Sequence, residues 1–225
     1  MIVYSNSDSF GVVSNGKVYA DFIAEHFGAK LIQKGLSGYC NQRIIRTTVR
    51  DLLEIPENED VLVLLSVSSI YRTEYWSSKS ISNYGHFSSI RIWETFYDKH
   101  SPNIAAFAKE FSLLHNDEAE MTNLYCSLVM LTSFLKSKGY RYLIWNGPST
   151  YKPVDFSAPF IAPFANELNR DPSVIPFDKF SFCKYNVDKG HVPIDYNLYK
   201  EHGHHGEAAH QDFANYLIEN YLNEI

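Results

Sequence analysis

The sequence lacks the features that mark membrane, secreted and nucleic-acid-binding proteins. The apolar run over residues 61–65 is far too short to span a bilayer, and no signal peptide is expected from the N-terminus. No run of Lys and Arg exceeds two residues and the formal net charge is −6, which argues against a nucleic-acid surface. The three cysteines, Cys40, Cys126 and Cys183, predict free thiols in a reducing compartment. We therefore expect a cytoplasmic protein with neither nucleic-acid nor membrane partners.

What is present is a chain of 225 residues, 45% of them hydrophobic, enough to bury one core as a single domain over residues 1–225. Strand and helix patterns alternate, which predicts an α/β protein: a three-layer α/β/α sandwich with a mainly parallel, flavodoxin-like sheet. The predicted strands are 2–4, 30–33, 61–66 and 140–145. The predicted helices are 18–27, 44–52, 117–138, 163–168 and 206–222. The aromatic and polar stretch 71–87 is interpreted as a binding loop.

Histidines are concentrated near the C-terminus, where four of the nine lie within residues 202–210, just before the last predicted helix. Glu201 precedes His204 by three positions, which makes an acid–base pair of the kind that activates a nucleophile. His205 is the adjacent rival, but the residue three positions before it is a histidine. The spacing therefore favours His204 as the base.

A candidate nucleophile lies at the other end of the chain. Residues 7–11, Ser-Asp-Ser-Phe-Gly, follow the first predicted strand at a sharp turn. In open α/β sheets, active sites gather at the carboxyl ends of the strands, and backbone N–H groups at a helix start can stabilise an oxyanion. A second segment, residues 33–41, also follows a strand, and its two glycines let the backbone approach a ligand closely.

Together these segments resemble the blocks of the SGNH (GDSL-type) hydrolase family. Residues 7–9, Ser-Asp-Ser, match the Gly-Asp-Ser block with Ser for Gly, so Ser9 takes the nucleophile position. Residues 33–38 match Asn-x-Gly-x-Ser-Gly with Gln for Asn, and Gly38 takes the position whose N–H serves the oxyanion hole together with that of Ser9. Residues 201–204 match Asp-x-x-His with Glu for Asp.

The third block departs from the family pattern. The family places Gly-x-Asn-Asp after the third strand, and that Asn donates to the oxyanion. Here Ser68 falls at its position. Either the hydroxyl of Ser68 substitutes as the donor, or Asn41 or Arg72 reaches in. The stretch 68–74 is similar to a divergent, phage-encoded branch, which adds virion association to the expected locations.

The resemblance implies a serine esterase or deacetylase that needs no cofactor or metal. Ser9 would attack an acyl ester, such as an O-acetyl group on a carbohydrate, to form an acyl-enzyme. His204 would act as general base and Glu201 would orient its ring. Four further side chains are predicted to contact the substrate: Asp8, Asn41, Arg72 and His205.

Two other functions remain open at this point. The missing third-block Asn also fits a binding or structural protein that keeps the fold without catalysis. The third alternative is a metal-dependent hydrolase, since imidazole and carboxylate ligands suit zinc. Its ligands would come from His191, His202, His204, His205, Glu207 and His210. His-x-His is a loop or strand spacing, however, and not the i, i+4 spacing of a helical metal site.

Overall fold

The computed structural model describes residues 1–12, 14–76, 87–91, 102–148, 155–199 and 203–223. Its strands are β1 (Ile2–Asn6), β2 (Lys30–Gln33), β3 (Val61–Val67), β4 (Arg72–Trp76), β5 (Phe87–Arg91) and β6 (Arg141–Asn146). Its α-helices are α1 (Tyr19–His26), α2 (Asn41–Leu53), α3 (Pro102–Leu114), α4 (Asp117–Ser137), α5 (Ala162–Asn169), α6 (Phe182–Asp188), α7 (Tyr196–Tyr199) and α8 (Glu207–Leu217). A 3₁₀-helix spans Ser9–Gly11, and a π-helix over Ile218–Leu222 extends α8. None of the described helices combines the length and the apolar content needed to cross a membrane.

The main sheet has the strand order β2-β1-β3-β6, and every pairing in it is parallel. Val3 of β1 lies opposite Leu31 of β2 and Leu62 of β3, so β1 is a central strand. Strands buried on both faces read as continuous apolar runs, which is why β3 is buried along its whole length. The predicted α/β fold is confirmed.

Side chains that alternate along the strands separate two cores, one on each face of the sheet. Tyr4 and Leu65 pack with the apolar faces of α2, α4 and α5. Val3 and Leu64 pack with α1 and α8 on the opposite face. The result is the three-layer arrangement expected from the alternation of strands and helices.

The long helix α4 ends where its sequence signals predict. The side chain of Asn116 accepts a hydrogen bond from the N–H of Ala119, which caps the first turn. Gly139, one residue beyond the C-cap, has a φ of 68°, a conformation that favours glycine. These local signals depend on short-range geometry, and this explains why they predicted both ends of the helix well.

The interpretation of residues 71–87 as a loop was wrong for residues 72–76 and for Phe87, and residues 77–86 lie outside the described residues. Residues 72–76 form β4, which pairs antiparallel with β5 outside the main sheet. Both Arg43 and Arg46 of α2 hold the hairpin through Glu74, with distances of 3.1 Å and 2.9 Å. A strand held by ion pairs outside the central sheet shows no clean apolar alternation. Helices α3 and α6 were also not predicted.

Candidate active site

Ser9 lies directly beyond the carboxyl end of the central strand β1, as the first residue of the 3₁₀-helix. Asp8 is the N-cap of that helix, and its Oδ1 accepts a hydrogen bond from the N–H of Phe10 at 3.1 Å. Only 3% of Ser9 is exposed. The structure therefore places the predicted nucleophile at the edge of the sheet where active sites form, on a turn held by a buried carboxylate.

The segment after β2 lies against this turn. The N–H of Leu36 donates to the carbonyl of Ser7 at 3.1 Å, and a Cβ built on Gly35 would lie 2.4 Å from the Ser7 hydroxyl, so only glycine fits there. Gly38 has a φ of 87°, which glycine adopts without strain. Neither the N–H of Ser9 nor that of Gly38 is bonded to another described residue. Both are free to donate to an oxyanion.

His204 is held by Asp195, a carboxylate that the sequence reasoning missed. One oxygen, Oδ1, accepts the backbone N–H of His204 at 2.6 Å, and Oδ2 lies 2.5 Å from the ring Nδ1. The carbonyl of His204 also accepts the N–H of Ile194 at 2.7 Å. This arrangement fixes the imidazole by Nδ1 and leaves Nε2 as the ring nitrogen for proton transfer.

The C-terminal segment lies on the turn that carries Ser9. The ring of His204 is 5.4 Å from the ring of Phe10, the neighbour of Ser9. The N–H of Glu207 donates to Asn15 at 2.9 Å. Ser9 itself makes no side-chain hydrogen bond within the described part of the chain. Catalytic hydrogen bonds are often long before substrate binds, so the arrangement is compatible with an acid–base pair beside its nucleophile.

Glu201, the acid predicted from the Glu-x-x-His spacing, lies outside the described residues. The carboxylate found on His204 comes from nine positions upstream, in the Pro-Ile-Asp sequence that ends at Asp195. A Cβ on Gly203 would lie 2.2 Å from Oδ1 of Asp195, so that glycine permits the contact. A sequence signal for this contact would have to combine Asp195 with Gly203 and His204. These residues are spread over ten positions, and no short motif has this spacing.

His205 is fully buried, and both of its ring nitrogens lack a hydrogen-bond partner among the described residues. Its ring meets Phe182 edge-on at 5.7 Å. Burial, together with a smaller effect of the nearby His191, lowers the pKa of His205 to about 4. A buried imidazole without a described hydrogen-bond partner differs from the ring of His204, which Asp195 orients. Contact between His205 and a substrate stays a prediction.

Asp8 was predicted to contact the substrate, and Ser68 was predicted to donate to the oxyanion. Both side chains take part in a buried network of hydrogen bonds. Both are completely buried. The Ser68 hydroxyl donates to Oδ2 of Asp8 at 2.8 Å, and Nη1 of Arg72 donates to the same oxygen at 2.8 Å. A hydroxyl has one proton to donate, so Ser68 offers none to an oxyanion here. The network holds Asp8 next to Ser9, and in this arrangement both side chains bond within the protein.

Asn41 and Arg72 lie at the boundary between this network and an open cleft. Nδ2 of Asn41 donates a hydrogen bond to the carbonyl of Ser68 at 2.8 Å, and Oδ1 of Asn41 accepts one from the backbone N–H of Ser68 at 2.7 Å. Both Asn41 and Arg72 line a cleft of about 240 Å³ between α2 and α4. The Nε of Arg72 is buried without a partner among the described residues. These two side chains remain candidates for contact with a substrate.

The histidines of the metal alternative point to different partners. His191 lies 2.8 Å from Asp212, and Nδ1 of His210 accepts the N–H of Tyr19 at 3.3 Å. His202 is outside the described residues. Within the described ranges no three His, Cys, Asp or Glu side chains come close enough together to hold a metal ion.

A family model matches residues 5–153, and it is described as a family of unknown function (DUF6071). No curated protein matches the sequence. Solved structures, in contrast, share the fold over nearly the whole chain. A member of the lipolytic protein G-D-S-L family from Veillonella parvula is 12% identical, with 98% of this chain and 97% of that chain covered and a TM-score of 0.52.

Two further structures are similar to the same extent. A lipolytic protein of the G-D-S-L family from Desulfitobacterium hafniense is 12% identical, with 97% and 98% of the two chains covered and a TM-score of 0.52. The acetyl xylan esterase AlAXEase is 14% identical, with 98% and 100% covered and a TM-score of 0.53. At these identities the likeness shows the fold, which is that of GDSL-type lipases and esterases.

Proposed function

The chain belongs to DUF6071, a family of unknown function, and from this premise we propose that it is a serine ester hydrolase of the SGNH type. One observation carries the proposal: a carboxylate–imidazole pair, Asp195–His204, lies beside the turn that bears Ser9. Nucleophile, base and orienting acid are the parts of a catalytic triad, and a triad is recognised by geometry rather than by sequence position. The shared fold with GDSL-type esterases supports the same reaction class.

The reaction would begin when Nε2 of His204 takes the proton of the Ser9 hydroxyl as its oxygen attacks the ester carbonyl. The N–H groups of Ser9 and Gly38 would stabilise the resulting oxyanion. His204 would then protonate the leaving alcohol, and water would release the acid from the acyl-enzyme. Asp195 would hold the imidazole in the correct tautomer and stabilise its charged form.

The substrate proposed is an acyl ester of a hydroxylated compound, with an O-acetyl group on a carbohydrate as the first choice. Acetyl xylan esterase AlAXEase shares the fold, and this supports the choice of acetyl esters. The third-block Asn is replaced by Ser68, whose hydroxyl donates its hydrogen bond to Asp8. Loss of one oxyanion donor typically costs roughly 10²–10³ in rate, so slow turnover is expected. The phage-type branch, cytoplasmic location and virion association stay predictions.

A fluorophosphonate probe tests the nucleophile directly. The wild-type protein should form a covalent adduct that mass spectrometry locates on Ser9, and Ser9→Ala should prevent it. Ser7→Ala is the matched control, because Ser7 lies in the same turn and its hydroxyl donates to the Asp8 carbonyl at 3.1 Å. An adduct on Ser7 would move the nucleophile to that residue, and the absence of any adduct in the folded wild-type protein would reject the serine mechanism.

The second candidate is a binding protein that keeps the fold without turnover. It is favoured by the internal hydrogen bond that occupies Ser68 and by the lack of a described hydrogen bond to the Ser9 hydroxyl. The same labelling experiment separates the two candidates. An unreactive Ser9 in a folded protein that still binds carbohydrate would establish this second function.

A further inference from the structure

Beside the Asp8 network lies a cleft that the proposed chemistry does not use. It has a volume of about 240 Å³ and is bounded by the N-terminal half of α2, the residues around the start of β4, and one face of α4. Pockets that hold small ligands are concave and combine apolar walls with a few placed polar groups. The lining of this cleft has that composition.

The cleft is joined to the reaction site through two shared side chains. Arg72 lines the cleft and donates to Asp8, the residue next to Ser9. Asn41 also lines it and is hydrogen-bonded to both backbone groups of Ser68. A group seated in the cleft would therefore lie next to the network beneath the Ser9 turn.

Two polar side chains of the cleft have no described hydrogen-bond partner. They are Glu120 and Asn123 of α4, and neither side chain has a hydrogen bond within the described part of the chain. The Nε of Arg72 also lacks a partner among the described residues, but this atom is buried and is not exposed to the cleft.

The lining also contains apolar side chains, those of Ile45, Ile70 and Leu124, and Leu124 lies one helical turn from Glu120 on α4. A pyranose ring has an apolar face of C–H groups and an edge of hydroxyls, so it matches a cleft whose lining combines apolar and polar side chains. A long acyl chain does not match, because it would strip water from Glu120 and Asn123 without offering them hydrogen bonds.

The charges of the cleft favour a neutral ligand. Both arginines that line it already face carboxylates: Arg46 pairs with Glu74 at 2.9 Å, and Arg72 pairs with Asp8 at 2.8 Å. Glu120 has no such ion pair in the described residues, and burial raises the pKa of its carboxyl group. An anionic sugar or a fatty acid would be repelled by this carboxylate, whereas hydroxyl groups would donate to it.

We propose that the cleft between α2 and α4 binds a neutral carbohydrate residue of the substrate. The inference rests on the proposed ester hydrolase, for which it assigns the site that binds the carbohydrate part of the substrate. Glu120 accepts hydrogen bonds from sugar hydroxyls, Asn123 donates to them, and the apolar face of the ring packs on Ile45 and Leu124.

Calorimetric titration of Ser9→Ala with unmodified xylobiose, cellobiose and chitobiose tests the inference without any requirement for turnover. At least one disaccharide should bind. Glu120→Gln should weaken its binding by about tenfold or more, as expected for the loss of hydrogen bonds to a charged group. Glu118→Gln is the matched control, because Glu118 is an exposed carboxylate on the same helix that does not line this cleft.

The outcomes distinguish this inference from the proposed hydrolase. Absence of binding by all three disaccharides would overturn it, as would affinity unaffected by both Glu120→Gln and Asn123→Ala. Binding of dodecanoate that Glu120→Gln strengthens would also overturn it, in favour of an acyl pocket. Glu120-dependent sugar binding by a protein that no fluorophosphonate labels would support the cleft and reject the hydrolase.

Discussion

Asp195 contacts His204 twice: one carboxylate oxygen accepts the backbone N–H at 2.6 Å, and the other lies 2.5 Å from the ring Nδ1. The two contacts fix both the position of the residue and the rotation of its ring. The partners lie nine positions apart in the sequence, so this double contact joins two residues that are not neighbours along the chain. An imidazole held in this way can exchange protons through Nε2 without losing its orientation.

The first prediction concerns the orienting acid. Asp195→Asn should lower kcat by roughly 10³–10⁴, because an amide favours the wrong tautomer of the imidazole. Glu201→Gln should leave kcat close to that of the wild-type protein. Initial rates on an aryl acetate measure both effects, and melting temperatures verify that both variants fold. The reverse order of effects would restore Glu201 as the acid and leave Asp195 a structural role.

The second prediction uses the glycine between these partners. A Cβ on Gly203 would lie 2.2 Å from Oδ1 of Asp195 and 2.9 Å from Cβ of Pro193. Gly203→Ala should therefore displace the carboxylate from His204 and lower kcat, with a smaller effect on KM. Gly206→Ala is the comparison, since its nearest contact is 3.0 Å, from Asn15. Equal kcat values for the two variants would show that the Asp195 contact does not govern the rate.

The parts of the fold that depend on local patterns could be predicted from the sequence. The buried run of β3, the cap of α4 at Asn116 and the turn at Gly139 follow from neighbouring residues. The hairpin of β4 and β5 could not be predicted in this way. It is attached to α2 through Glu74, and a distant ion pair leaves no periodic signal in the sequence.

The same distinction between local patterns and distant contacts applies to the candidate site. The turn that carries Ser9 and the placement of His204 beside it follow from short motifs. The contact of Asp195 with His204 could not be inferred, because the two residues lie nine positions apart and no motif specifies this spacing. The occupation of Ser68 by Asp8 also depends on burial and on the competing donors around the carboxylate, which spacing does not reveal.

The third prediction distinguishes the adjacent histidines. His204→Ala should reduce kcat by nearly as much as Ser9→Ala, because triad members act as a unit. His205→Gln should leave kcat near the wild-type value at pH 7, since the ring of His205 is fully buried. Measurements at a temperature where both variants are folded make the comparison valid. A larger loss for the His205 variant would move the base by one residue.

The fourth prediction concerns the buried pair below the Ser9 turn. Arg72→Met removes a cation from Asp8, which is completely buried, and should destabilise the fold by about 3–5 kcal/mol. Urea unfolding measures the change. Lys17→Met breaks an exposed pair with Glu25 and should change the free energy of unfolding little. Similar losses for the two methionine variants would contradict the importance assigned to the buried pair.

The fifth prediction concerns the acid stability that follows from His205. Its folded-state pKa of about 4 lies below the usual value for an unfolded chain, about 6.5, because burial disfavours the charged ring. Between these values the unfolded state binds more protons than the folded state. The contribution of His205 to stability is therefore complete above pH 6.5 and decreases as the pH falls towards 4, by about 3 kcal/mol in all.

His205→Gln removes this titration but keeps a polar side chain at the site. Carboxylates elsewhere also titrate below pH 6, so the informative quantity is the difference in unfolding free energy between the wild-type protein and His205→Gln at each pH. As the pH falls from 7 to 4, the free energy of unfolding should decrease more for the wild-type protein than for His205→Gln. His191, His204 and Asp195, whose charges act on the same ring, are retained in the variant, so the two proteins differ only at residue 205. Parallel stability curves for the two proteins would mean that His205 is not a buried neutral imidazole.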